Sequence, residues 1–102
     1  MAKLGIHLQD GFDGDEVVVK VDGKVRLQRD GVTTRRVLGL AEHVELEVAD
    51  GPLALEVAIP NRGLERTIAA EARGELHLGV SIAHGGEAEL RLILRDTPFG
   101  YG

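Results

Sequence analysis

Apolar and polar residues alternate with a period of two along most of this chain, and the i, i+3, i+4, i+7 spacing of an amphipathic helix is not sustained. Such alternation is typical of strands that bury one face and leave the other in water. The pattern predicts strands with these apolar faces: Leu4, Ile6 and Leu8; Val17, Val19 and Val21; Val25 and Leu27; Val44, Leu46 and Val48; Leu53, Leu55, Val57 and Ile59; Leu76, Leu78, Val80 and Ile82; and Leu90, Leu92 and Leu94.

Turn-forming residues separate these runs at intervals of about 10 residues, which is the spacing of an antiparallel sandwich or barrel rather than of βαβ units. The predicted turns are Asp22-Gly23, Asp30-Gly31, Asp50-Gly51-Pro52, Pro60-Asn61-Arg62-Gly63, Arg73-Gly74 and His84-Gly85-Gly86. We therefore expect an all-β, single-domain antiparallel β-sandwich, immunoglobulin-like or prealbumin-like, with about 7 to 9 short strands. The sandwich should span residues 1–96, followed by an aromatic C-terminal tail over residues 97–102.

One segment also suits a helix. LERTIAAEARGEL, residues 64–76, contains good helix formers. However, Leu64, Ile68, Ala70 and Ala72 fit the face of a strand, and all neighbouring segments have strand patterns. We predict a strand.

The DG turn after Val21 raises a question of register. A plain two-residue turn would pair Val21 with Lys24 and mix apolar and polar residues on each face of the hairpin. A three-residue or bulged loop that pairs Val21 with Val25, and Val19 with Leu27, restores one apolar face. We therefore predict an irregularity in this hairpin.

Charge and composition exclude several classes of function. Seventeen acidic residues against twelve basic ones give the 102-residue chain a formal net charge of −5. It has neither a basic stripe nor a set of stacking rings, so we expect no nucleic-acid binding. With no cysteine there is no disulfide framework and no thiolate metal site. No apolar run reaches the roughly 18 residues of a membrane helix and no secretory signal is visible, so we expect a cytoplasmic protein that does not bind membranes.

The three aromatic residues all lie in segments rich in Gly or Asp rather than in the alternating runs. Phe12 belongs to DGFDGD, and Phe99 and Tyr101 belong to the C-terminal DTPFGYG. Exposed rings are frequently interface anchors, so Phe99, Tyr101 and Phe12 are the predicted partner-binding residues. The two tail rings could instead plug the open end of their own sandwich, or dock onto a neighbouring copy.

Histidines and an acidic loop suggest a metal site as an alternative. His7 and His77 should lie on the outward sides of strands that could be neighbours, where they could pair around a metal. The loop DGFDGDE offers the carboxylates of Asp10, Asp13 and Asp15, although the DxDxDG order of an EF-hand is absent. No HxH or HExxH spacing is present, so we prefer four unrelated, solvated histidines and a simple acidic turn.

Catalytic signatures are weak. His77 and Ser81 share a strand face but should stand about 13 Å apart, so they do not form a dyad. HGGE at residues 84–87 lacks the GK[ST] of a phosphate-binding loop. Outward glutamates on strands are typical of a solvated face. We predict no enzymatic activity and no cofactor.

The stretch VVVKVDGKVRLQRDGVTT resembles small bacterial modules of the prealbumin-like and immunoglobulin-like kinds, in which a strand, a DG turn and a further strand precede a Gly-Thr segment. The likeness covers less than a third of the chain and assigns no family. We predict a non-catalytic module for protein–protein binding or self-association through the tail, with an exposed edge strand as a second contact. The alternatives are a metal-binding protein and a small-molecule binder that uses the end of the sandwich as a pocket.

Overall fold

A computed structural model describes residues 1–35, 37–97 and 99 of the chain. In these ranges eight strands and one 3₁₀ turn follow one another: β1 (Ala2–Leu8), β2 (Asp13–Val21), β3 (Lys24–Thr33), β4 (Glu42–Val48), β5 (Gly51–Ile59), the turn Pro60–Arg62, β6 (Leu64–Ala72), β7 (Glu75–Ala83) and β8 (Glu89–Arg95). The predicted β-sandwich is confirmed, and the segment that also suits a helix forms β6 and the start of β7. The described ranges contain no helix with the length and apolar character needed to cross a membrane.

The strands form two four-stranded sheets. Sheet A has the order β4-β1-β7-β8 and sheet B the order β3-β2-β5-β6. Neighbouring strands run antiparallel except β1 and β7, which run parallel, so sheet A is mixed where the sequence suggests antiparallel strands throughout. Because β1 and β2 lie in different sheets, the order also differs from that of an immunoglobulin constant domain, whose first two strands share one sheet. The parallel pair forms the centre of sheet A.

The hairpin of β2 and β3 contains the predicted irregularity, at a different position. The DG turn has only two residues, both with positive φ (50° and 81°), and Val21 pairs with Lys24. The register then shifts, and Val19 pairs with Leu27 as predicted. The register shift therefore lies within the β2–β3 ladder rather than in the turn, and Val25 is 51% exposed.

The facing sides of the two sheets supply an aliphatic core. Its largest fully buried members are Leu4, Ile6, Leu8, Val17, Val19, Leu55, Val57, Ile59, Leu78 and Val80. Phe12 belongs to the same core and is only 3% exposed, although its segment suggested a surface ring. Its loop carries the chain from sheet A to sheet B, and the ring packs into the core at that end. Phe12 is therefore not available to a partner.

Candidate functional site

Two histidines that alternate onto the outer side of sheet A are buried. His7 on β1 is 1% exposed and His77 on β7 is 3% exposed. The alternation correctly places both side chains outward, but outward positions are ordinarily solvated. The prediction of four solvated, unrelated histidines is wrong for these two, because the tail and the neighbouring side chains cover them.

Glycines create the space for these two rings. In the parallel ladder Gly5 pairs with His77, and His7 pairs with Gly79, so the histidines occupy one diagonal of a square and the glycines the other. A Cβ atom at Gly5 would lie 2.6 Å from His77 Nδ1 and 3.2 Å from His7 Nε2. The ring positions therefore depend on the missing side chain at position 5. We refer to Gly5, His7, Glu75, His77 and Gly79 as the histidine site.

A chain of polar contacts runs through the histidine site. His7 Nε2 lies 2.9 Å from His77 Nδ1, and His77 Nε2 lies 2.5 Å from Glu75 Oε1. When Glu75 is ionised it can only accept, so His77 Nε2 carries a hydrogen. In neutral His77 the Nδ1 atom then accepts from the Nε2–H of His7. The carboxylate thus fixes the tautomers of both rings.

His43 on the edge strand β4 completes the aromatic contacts on one side. It is paired with His7 in the ladder, and the two rings stack with centroids 4.2 Å apart and an interplanar angle of 12°. Burial, together with the nearby charges of His43 and His77, lowers the pKa of His7 from 6.5 to about 4. The imidazole of His7 is therefore a neutral aromatic ring at pH 7.

Phe99 covers this surface. Its ring makes a T-shaped contact with His7, with centroids 4.9 Å apart and planes at 68°. Arg95 Cζ lies over the Phe99 ring, 5.1 Å from the ring centroid. A Cβ at Gly79 would come within 2.9 Å of Phe99 Cζ, so the ring tip rests over the glycine. The ring folds back onto its own domain, but onto the outer face of sheet A and not into the open end of the sandwich. Tyr101 lies outside the described residues.

The acidic loop is organised around an ion pair. Asp15 is fully buried, and its carboxylate accepts from Arg62 Nε at 2.7 Å, from the Asn61 amide at 2.6 Å and from the Asp13 backbone N–H at 2.9 Å. Burial alone would raise the pKa of Asp15, but these hydrogen bonds outweigh it and hold the pKa below its usual value of 3.8. The carboxylate anchors the 3₁₀ turn to β2.

The predicted metal ligands do not converge. In the part of the chain that the structure describes, no group of three or more His, Asp or Glu side chains could hold a metal ion. His7 and His77 direct nitrogens at each other, and Asp15 is occupied by Arg62. His84, the remaining histidine, contacts the backbone oxygen of Gly11 at 2.9 Å.

Open depressions lie at the two ends of β2. One of about 400 Å³ is lined in part by Asp10, Asp13, Thr33 and His84. Another of about 240 Å³ lies at the other end, beside Val21. Neither is lined by a residue of the histidine site, and the proposal of a small-molecule pocket stays a prediction.

Sequence reasoning missed the role of Gly5 and Gly79, which pair with His77 and His7 in the ladder. The segments Gly5-Ile6-His7 and His77-Leu78-Gly79 each place a glycine and a histidine on the same outward face. A glycine within a strand indicates a close approach by another group. These two segments carried the signal for a covered site, but the parallel register that joins them is visible only in the structure. Comparison of the chain with family models, with curated proteins and with solved structures gave no match.

Proposed function

We propose that this chain is a non-catalytic binding and assembly module that captures an aromatic side chain on its histidine site. The observation that carries the proposal is the position of Phe99, which lies over Gly79, against the neutral ring of His7 and beneath Arg95. In this closed form the chain's own tail occupies the site. In the assembled form the tail of a second copy, or an aromatic segment of another protein, takes its place.

The chemistry of the site favours a ring. An edge-to-face aromatic contact contributes about 0.5–1.5 kcal/mol beyond the area it buries, and an exposed cation above a ring contributes about 0.5–1 kcal/mol. Ile93 on β8 pairs with Gly79 and is 52% exposed, which adds an apolar rim beside Phe99. These contributions are enough to hold a tail weakly, so one occupant can be exchanged for another.

Polar groups near the site support binding rather than catalysis. The hydroxyl of Ser81 donates to Gln9 Oε1 at 3.3 Å and not to a histidine. A nucleophile needs an adjacent, oriented base. The Glu75–His77–His7 chain orients an imidazole that lies under Phe99 and presents no such pair.

Edge strands offer a second contact. Within the described residues β3, β4, β6 and β8 each have a hydrogen-bonded neighbour on one side only. An extended segment that arrives with its ring in the histidine site could add to β8, which borders the site through Arg95 and Ile93.

A peptide-binding experiment tests the proposal directly. The full-length Phe99→Ala/Tyr101→Ala variant removes both tail rings, so its histidine site can accept a synthetic peptide with the sequence of residues 96–102. Calorimetry or NMR at pH 7.5 should show saturable binding of one peptide per chain. A peptide with alanine in place of phenylalanine should bind about tenfold or more weakly, which corresponds to the loss of roughly 1.4 kcal/mol.

Gly79→Ala in the same background is the matched control. The φ angle at this position is not left-handed, and the atoms nearest to the new Cβ are the ends of the Gln9 and Phe99 side chains, so the strand should tolerate alanine. The methyl group should still obstruct the ring and weaken the peptide. Absence of saturable binding at millimolar peptide, or equal binding with Gly79→Ala, would contradict the proposal.

Light scattering over a concentration series separates the two occupants. An intact chain that forms a defined oligomer, and a ring-deleted variant that remains monomeric, would assign the tail to assembly between copies. If both are monomers and the variant binds peptide, the site serves another protein. If both are monomers and no peptide binds, the ring only completes its own domain.

A further inference from the structure

The contact between the two buried imidazoles accommodates one hydrogen. At 2.9 Å, His7 Nε2 and His77 Nδ1 are at hydrogen-bond distance, so one nitrogen donates and the other accepts. In the neutral state His77 keeps its Nε2 hydrogen for Glu75, and His7 supplies the hydrogen of the shared contact.

One additional proton is compatible with this geometry. Whichever ring takes the proton, the other ring remains neutral and accepts the hydrogen bond between them. The positive charge then lies either on His77, in contact with the Glu75 carboxylate, or on His7, one ring further away. A second additional proton is not compatible. Both rings would then be cations, and two N–H groups would point at each other across 2.9 Å.

The surrounding charges do not offset a doubly protonated pair. The groups on this face that can carry positive charge are Lys3 on β1, His43 on β4, and Arg91 and Arg95 on β8. The carboxylates are Glu75 on β7, Glu45 and Glu47 on β4, and Glu89 on β8. His43 stacks directly on His7, and Arg95 lies across the Phe99 ring. Among these carboxylates, Glu75 contacts His77 and is already used in the neutral state, and Glu89 pairs with Arg91.

Two protonated imidazoles can be stabilised only if water reaches them. A buried imidazolium is stabilised when solvent reaches it. Below the histidines lies the packed sheet, with its core residues Ile6 and Leu78 fully buried. Above them lies Phe99, a half-buried ring, which is the cover whose displacement leaves the packed core unchanged.

We propose that protons regulate the histidine site: the aromatic side chain is held while the His7–His77 contact contains a single hydrogen, and it is released when both rings become protonated. This rests on the proposed function for its biological meaning, since the released tail and the vacated site are the two halves of the assembly contact. The lowered pKa of His7, about 4, sets the pH range in which release is expected.

An NMR titration of the intact chain from pH 7.5 to pH 3.5 tests release without any mutation. The ring resonances of Phe99 and the imidazole resonances of His7 should change together, with cross-relaxation between the two rings lost by about pH 4. The methyl resonances of Leu78 and Val57 in the core should keep their folded positions over the same range. Persistent Phe99–His7 contacts after both imidazoles have gained their additional protons would overturn the inference.

His7→Gln supplies the non-titrating variant. Its amide can still donate to His77 Nδ1, so Phe99 should remain docked through pH 4. His84→Gln is the matched control, because His84 contacts Gly11 and no residue of the histidine site, and its Phe99 should be released as in the intact chain. Release of Phe99 at the same pH in His7→Gln and in the intact chain would also overturn the inference.

The peptide assay distinguishes this inference from the proposed function. If the ring-deleted variant binds the tail peptide at pH 7.5, its affinity should fall by about tenfold or more at pH 4. An unchanged affinity would contradict proton control and leave capture intact. If no peptide binds at pH 7.5, capture fails, whereas the titration of the intact chain still decides whether protonation releases Phe99.

Discussion

Two buried polar clusters in this domain differ in how their charges are balanced. Asp15 is surrounded by a cation and neutral donors, from Arg62, Asn61 and the backbone of Asp13. The histidine pair has no such cation beside an anion: its two imidazoles face each other and can gain further protons, and the carboxylate in contact with His77, Glu75, is half exposed. The first cluster has one stable protonation state near neutral pH. The second has several, and only some of them fit the folded geometry.

The two clusters also differ in what covers them. Asp15 is bound by residues of the Pro60–Arg62 turn, which sits between two strands of sheet B. The histidine site is covered by Phe99, four residues beyond the end of β8. The Asp15 ion pair stabilises the fold, whereas the histidine pair lies under a ring from the segment after β8 and is the cluster that we propose responds to pH.

The largest expected effect comes from breaking the saturated cluster. Arg62→Met keeps the aliphatic stem but leaves the buried carboxylate of Asp15 without its cation, which should destabilise the fold by about 4 kcal/mol at pH 7. Urea unfolding monitored by far-UV circular dichroism measures the loss. Arg73→Met is the control, because the Arg73–Glu71 pair is exposed and should contribute little. Equal effects of the two substitutions would contradict the structural role of Asp15.

Acid should destabilise the two clusters in separate pH windows. His7 has a pKa of about 4 in the fold and 6.5 when unfolded, so the unfolded chain takes up the proton first and stability falls as pH drops from 6.5 to 4. The loss is about 3 kcal/mol, at 1.36 kcal/mol for each pH unit. Asp15 has a folded pKa below 3.8, so its contribution is retained above that pH and lost only as pH falls below it.

Urea unfolding between pH 7.5 and pH 2.5 separates these windows. His7→Gln should flatten the upper window and leave the lower one unchanged, because Asp15 and its partners are not altered. A His7→Gln chain that loses as much stability between pH 6.5 and pH 4 as the intact chain would show that other groups are responsible.

Gly5→Ala should break the histidine pair from within. The added Cβ would lie 2.6 Å from His77 Nδ1, and the buried ring cannot move away freely, so we expect a loss of about 2 kcal/mol in thermal or urea unfolding. Gly85→Ala is the control, since nothing lies within 4 Å of its added Cβ and its φ is not left-handed. A neutral effect of Gly5→Ala would mean that the rings have an alternative position.

Phe99→Ala should have the smallest effect on the fold, about 1 kcal/mol, because the ring is only half-buried. Its consequence for His7 should be clearer: water reaches the imidazole, and the pKa of His7 rises towards its ordinary value. NMR titration of the His7 ring measures this change. Gly79→Ala, which displaces the same ring, should shift the pKa of His7 in the same direction.

The strand pattern could be predicted from the sequence because each strand has one face in the core, and the alternation of residues such as Leu4, Ile6 and Leu8 records it. The hairpin irregularity was predictable for the same reason, since only a shifted register keeps Val19 opposite Leu27. Its exact position was not, because either the turn or the ladder can absorb the extra residue.

The histidine site could be predicted only in part. The alternation of residues correctly predicts that His7 and His77 point away from the core, but side chains on that face are ordinarily exposed to solvent, and these two are not. Burial came from Phe99, which is separated from His7 by more than 90 positions in the sequence, and from the parallel pairing of two strands at opposite ends of the chain. Phe12 was misjudged for the converse reason, because its Gly- and Asp-rich loop gave no indication that the ring turns inward.

The sequence by itself determined the class of fold, the number of strands within a narrow range and the aliphatic core, because these depend on local alternation and on turn residues. Tertiary structure decided which outward residues meet. It brought Gly5, His7, His77 and Gly79 into one square and placed Phe99 over them, and whether an imidazole is buried or solvated depends on that cover. A pattern of period two specifies the direction of a side chain, whereas its neighbours across strands and beneath the tail are set by the strand order.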